Sequence, residues 1–139
     1  SVRSQILNLF RDIQDELGTT MVFITHDLHV ARYLCHRIGV MYFGKLLELG
    51  PTNEIYENPR HPYTEALLGT LKPTVKDDPD VPVEEAGEAY NPTGETVGCR
   101  YYARCPYRVD QCKTAHPPLE DISDEHKVAC YEWRRIGQR

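Results

Sequence analysis

TTMVFITHDL, residues 19–28, decides how the first half of this chain is read. Thr20 to Thr25 is an unbroken run of β-prone side chains, which predicts a strand covered on both faces, as in a parallel sheet. His26 and Asp27 end the run, and Asp27 is placed to cap a helix carrying Leu28, Ala31, Leu34 and Cys35. Upstream, Val2, Ile6, Leu9, Phe10, Ile13 and Leu17 recur at helical spacing, and Gly18 is placed to close that helix. The apolar pattern begins at once, so no N-terminal cap is expected for it. Downstream, Ile38–Phe43 and Leu46–Leu49 predict two short strands joined by a Gly44-Lys45 turn, with glycine at the first central position.

One buried strand and a hairpin cannot cover both faces of a sheet. The pattern therefore predicts an α/β fold of which this is a C-terminal segment, with residue 1 as a cut point. After Pro51, Thr52 is expected to cap a short helix over 53–57, which Asn58-Pro59 breaks. His61 caps the next helix and Pro62 suits its first turn, with Tyr63, Ala66, Leu67, Leu68 and Leu71 on one side. For HPYT, residues 61–64, this reading is structural, because no chemistry requires the pattern.

At 139 residues the chain is long enough for one modest core. A net charge of −5 argues against broad nucleic-acid binding, which needs clustered Lys and Arg. No apolar run approaches the roughly 20 residues of a membrane span. The absence of an export pattern makes the reducing cytosol the expected compartment. Charge is uneven: residues 1–71 carry 6 basic and 8 acidic side chains, residues 72–98 carry 2 and 7, and residues 99–139 carry 8 and 6. The acidic middle block also holds Pro73, Pro79, Pro82 and Pro92, and reads as a surface linker between two parts.

The last part carries Cys99, Cys105, Cys112 and Cys130 in the spacing C-x5-C-x6-C-x17-C. Zinc sites usually take two ligands from one tight C-x2–4-C turn, and none occurs here. A four-iron four-sulfur cluster is larger and accepts thiolates from a looser loop. Arg100, Arg104 and Arg108 are placed to offset its charge, and Tyr101, Tyr102, Tyr107 and Trp133 to shield it. Zinc, disulfides and free thiols remain alternatives. Cys35 reads as a small buried hydrophobe with no metal role.

From ITHDL onward the sequence resembles the nucleotide-binding subunit of an ABC transporter. Residues 2–28 look like the segment between the D-loop and the switch histidine of that family. HRIGVMYFGKLLELG, residues 36–50, is similar to the family's VMYxGxxxExG stretch, although Cys35-His36 stand where a small residue and Asp are usual. NPRHPYTEALLGTLKP, residues 58–73, and the four-cysteine tail through PPLEDISDEHKVACYEW, residues 117–133, narrow the likeness to importers of oligopeptides, dipeptides and, in some members, nickel.

The resemblance implies an ATPase subunit that energises peptide import and lies peripherally on the cytoplasmic face of the cell membrane. Its implied partners are transmembrane permease subunits, a second ATP-binding subunit and, indirectly, an extracytoplasmic peptide-binding protein. Nucleic acid is not among them. Residues 1–71 would end the P-loop ATPase core including its H-loop, residues 72–98 would link, and residues 99–139 would form a small irregular four-cysteine module. His26 would stand at the H-loop position, donating a hydrogen bond to the γ-phosphate and helping to align water. The plainer reading of His26 is a strand-end ring that only caps the next helix. Cys99, Cys105, Cys112 and Cys130 would hold a 4Fe-4S cluster, with zinc the runner-up. ATP and Mg2+ belong to the intact protein, because the chain has no G-x-x-x-x-G-K-[ST] loop, signature or Walker B and is expected to be inactive alone. The competing reading is a stand-alone cysteine-rich interaction or regulatory module without catalysis.

Overall fold

Strand β2, Lys45–Pro51, is the centre of the architecture. In this computed structural model, which describes residues 1–71 and 97–137, β2 pairs on one side with β1, Arg37–Tyr42. Its other side pairs with β4, Lys127–Val128, which pairs in turn with β3, Glu120–Asp121. The sheet runs β1-β2-β4-β3, all antiparallel. The C-terminal part of the chain thus supplies two of its four strands.

The β1–β2 hairpin carries a register shift at Val40/Met41, where Val40 faces Glu48 and Met41 faces Leu46. Leu47 is the extra residue of this bulge. A bulge breaks strict alternation, and Leu47 and Glu48 are consecutive yet both fully buried. The turn is Phe43-Gly44, one residue earlier than expected, with φ of 42° and 77°. Positive φ at both central positions is the primed-turn geometry that matches strand twist, and it needs glycine second here.

Helices flank the sheet. α1 spans Val2–Leu17 and ends at Gly18 in the left-handed conformation, as the pattern predicts. It does have a cap: the Ser1 hydroxyl accepts from the Ser4 amide at 3.3 Å. α2, Leu28–Leu34, is capped by Asp27, whose carboxylate takes the His29 and Val30 amides at 2.9 and 3.1 Å. Those amides and Arg3 hold the Asp27 carboxyl below its usual range. α3 spans Thr52–Glu57. Thr52 does not cap it; its hydroxyl instead donates to the Cys35 carbonyl, tying α3 to the end of α2. α4, Pro62–Gly69, begins as expected, with His61 at the cap and Pro62 in the first turn.

Thr20–Thr25 is not a strand. Among the described residues nothing pairs with it, and Val22 and Ile24 are 89% and 99% exposed. Strand formation needs a hydrogen-bonding neighbour as well as propensity. The expected parallel core strand is therefore replaced by an unpaired segment held through Phe10, which meets Phe23 edge-on at 5.4 Å. α1 likewise buries no residue, and Val2, Leu9 and Leu17 of its apolar stripe are exposed.

The core lies at the other end, where β2, α4 and the C-terminal part meet. Leu47, Ile55, Val128 and Ile136 are fully buried, each contributing roughly 1.5–3 kcal/mol. Tyr42, Tyr63 and Tyr101 form a triad with ring centroids 4.6–5.5 Å apart, Tyr63 tilted against the other two and Tyr42 edge-on to Tyr101. Most of the acidic linker expected over 72–98 lies outside the described residues. The exposed apolar faces of α1 and of Met21–Thr25 predict that the 139-residue chain self-associates. Light scattering after size exclusion should show oligomers or aggregate; a monodisperse, cooperatively unfolding monomer would contradict this.

Candidate functional site

Tight turns gather the cysteines of the C-terminal part. Cys99 opens a turn whose carbonyl accepts from the Tyr102 amide at 3.0 Å, and a 3-10 turn over Tyr102–Arg104 delivers Cys105. Cys112 lies in α5, Gln111–Thr114, and its carbonyl accepts from the Cys99 amide at 2.7 Å. Gly98 makes that crossing possible: a Cβ there would stand 2.4 Å from the Cys112 carbonyl and 2.6 Å from that of Lys113, both backbone. Cys130 arrives from β4, where the Ala129 amide donates to the Leu47 carbonyl at 2.8 Å.

Cys99, Cys105, Cys112 and Cys130 all line one small, nearly filled cavity of about 10 Å³. Tyr101, Tyr102, Tyr107, Pro117, His61 and Pro62 complete its walls. Trp133, expected to shield it, is replaced in the lining by Glu132. Each of the five cysteines is a free thiol. Burial pushes the Cys105 thiol up to about 11 and Cys130 up to about 12, and also raises Cys99. Cys112 adds to the rise at Cys99, Cys105 and Cys130, Cys99 adds to it at Cys105 and Cys130, and Arg108 favours the thiolate of Cys105.

No three His, Cys, Asp or Glu side chains among the described residues lie close enough to hold a single metal ion. The pocket gathers four cysteine side chains on an apolar wall. Four cysteine thiols are donors of the type that zinc and iron–sulfur groups both take.

His26 is elsewhere. It is exposed, at the end of the unpaired segment, and lines an apolar groove with Phe23, Ile24, Leu28, Val40 and Tyr63. The cysteine cavity shares no residue with that groove. Cys35 lies half-buried at the end of α2 and also lines the groove.

Between the cavity and β2 lies a polar constellation that the sequence reading missed. The Glu48 carboxylate is fully buried and accepts the Arg60 amide at 2.7 Å, the His61 amide at 3.0 Å and Nε2 of His126 at 2.7 Å. His61 is itself buried and its Nδ1 accepts the Tyr63 amide at 3.0 Å. Burial brings the His61 pKa down to about 3, so its ring is neutral. The signal was one carboxylate inside the apolar run LLELG, residues 46–50.

Residues 47–112 match the family described as oligopeptide/dipeptide transporter, C-terminal region. The match contains Glu48, His61 and three of the four cavity cysteines; His126 and Cys130 follow it. The chain is 41% identical over 133 residues to a probable peptide ABC transporter ATP-binding protein, y4tS, of Sinorhizobium fredii, covering 94% of this chain and 37% of that one. It is 42% identical over 132 residues to the di/tripeptide transport ATP-binding protein DppF of Pseudomonas aeruginosa, covering 94% and 40%. For the oligopeptide transport ATP-binding protein AppF of Bacillus subtilis the figures are 39% over 134 residues, 94% and 40%. The chain spans about two fifths of the length of these curated relatives.

Gly98 and Gly69 make opposite predictions. Gly98→Ala drives a methyl into backbone and should cost on the order of 2–4 kcal/mol. Gly69→Ala meets open space and should change stability by less than about 1 kcal/mol. Chemical denaturation of both variants checks the pair; equal stabilities would show that the Gly98 crossing is not constrained.

Proposed function

We propose that this chain is the C-terminal region of the ATP-binding subunit of an ABC importer, which energises uptake of oligopeptides or dipeptides. The observation that carries the proposal is the match of 94% of the chain to peptide ABC transporter ATP-binding proteins. That extent favours it over a stand-alone cysteine-rich module. Residues 1–71 close the ATPase core, residues 72–98 link and residues 99–139 form the four-cysteine part.

The intact subunit binds ATP and Mg2+ and pairs with a second ATP-binding subunit on transmembrane permease partners, which receive peptide from an extracytoplasmic binding protein. It lies peripherally on the cytoplasmic face of the membrane. Among the described residues no helix is long and apolar enough to cross a membrane. His26 is the switch histidine: its imidazole donates to the γ-phosphate and holds the attacking water in line. The chain by itself, without a phosphate loop, hydrolyses no ATP.

Cys99, Cys105, Cys112 and Cys130 hold a 4Fe-4S cluster. When bound, the cluster serves as an inorganic cross-link, with no redox step asked of it. The four thiols supply the ligands, the tyrosines exclude water, and Arg108 offsets negative charge beside Cys105. What supports the reading is that four free thiols share one apolar cavity. Zinc is the alternative.

Replacing the matching segment of the Pseudomonas aeruginosa relative by residues 1–139 gives a subunit in which both halves of the proposal are measured. With its permease partners it should hydrolyse ATP, and His26→Ala should lower turnover about 10²-fold. Near-normal turnover would remove the role of His26. Purified without air, the subunit should be brown and carry about four iron and four sulfide per chain, lost in Cys112→Ser. A colourless subunit with stoichiometric zinc would settle the metal the other way.

A further inference from the structure

We propose that Glu48 is a positioning residue for the cysteine centre, acting through His126 and His61 to set Cys130 against the other three thiols. This rests on the metal reading above. It assigns the cysteine site a carboxylate from the hairpin that is not itself a ligand.

The argument begins with the cost of the site. A carboxylate removed from water is strongly unfavourable unless its lone pairs are filled. Glu48 is filled by three donors from two distant stretches, Arg60–His61 and His126. The carboxylate therefore fixes how far the start of α4 lies from the start of β4. Each arm then runs into a wall of the cavity. His61 and Pro62 are lining residues directly. From His126 the chain continues through β4, which pairs with Glu48 and Leu49, to Ala129 and then Cys130. The Ala129 carbonyl meets the His61 ring, so the two arms close on each other.

A second feature shows that the constellation is built. A Cβ at Gly50 would lie 3.1 Å from Cδ2 and 3.2 Å from Cγ of the His126 ring. The imidazole packs so closely over Gly50 that an added Cβ would require the ring to give by a few tenths of an ångström. Cys130 is also the cysteine farthest along the chain from its partners. Its placement owes nothing to the turns that join Cys99, Cys105 and Cys112, so it depends most on an outside support. Ligand supports of this type typically change metal affinity by 10–100-fold when removed.

The test uses the grafted subunit purified without air, carrying His126→Leu, His126→Gln, Gly50→Ala or Cys130→Ser. The readouts are iron release to a chelator, visible circular dichroism and thermal unfolding of the metal-free form. His126→Leu and Gly50→Ala should release iron at least about tenfold faster than the parent, with altered visible dichroism approaching that of Cys130→Ser. His126→Gln keeps an amide donor for Glu48 and should stay within about threefold of the parent. Should His126→Leu fail to fold, Gly50→Ala and His126→Gln carry the comparison. Parental release rates and spectra in Gly50→Ala and His126→Leu overturn the proposal, even if thermal stability falls, because a purely structural role moves stability alone. A parent subunit without iron instead refutes the metal reading itself.

Discussion

The burial of the Glu48 carboxylate is the constraint on which the rest of the described structure depends. It is closed to solvent, so the protein must bring donors to it, and the donors come from the two residues preceding α4 and from the residue preceding β4. Satisfying one charge thereby joins three stretches that sequence separates widely. Leu47, its neighbour in the bulge, turns to the tyrosine triad and to Cys105 instead. Two successive residues of β2 thus serve the two halves of one junction, the polar half holding position and the apolar half supplying burial energy. Removing a partner from such a junction is more damaging than the net worth of the pair suggests, because it strands a buried charge.

This junction gives the HPYT stretch a physical meaning. His61 caps α4 with its ring, offers its amide to Glu48 and forms a wall of the cysteine cavity. A neutral imidazole suits all three, since Nδ1 must accept from the Tyr63 amide. Arg60, one residue earlier, donates from its guanidinium to the Ile136 carbonyl at 2.8 Å and so fastens the end of the described chain to the same corner. The opposite end is built differently. α1 and the Met21–Thr25 segment make few interior contacts, held by an aromatic edge, an Asn8–Tyr33 hydrogen bond and an Arg3–Asp27 pair.

What the sequence revealed follows from the range of the interactions involved. Local signals were legible: the Gly18 stop, the Asp27 cap, the His61-Pro62 start and the Asn58 break each depend on a few neighbouring residues. The hairpin was legible to within one residue, because Phe43 adopts a positive φ that its side chain disfavours. Thr20–Thr25 misled because composition reports what a segment tolerates, whereas pairing depends on a neighbour. The four cysteines were legible as a set, and they do share one cavity. Glu48, His126 and the pairing of β2 with β4 were not legible, since each is a contact across some 78 residues with no local pattern.

The central claim is that the cysteine-bearing part is joined into the hairpin by the Glu48 junction, and does not simply follow it in the chain. Native-state hydrogen exchange reads this directly through two amides, that of Ala129 bonded to Leu47 and that of His61 bonded to Glu48. The account predicts that both exchange with the opening free energy of the β1–β2 ladder, as one cooperative unit. Fast exchange at Ala129 and His61 while the hairpin amides stay protected would contradict it.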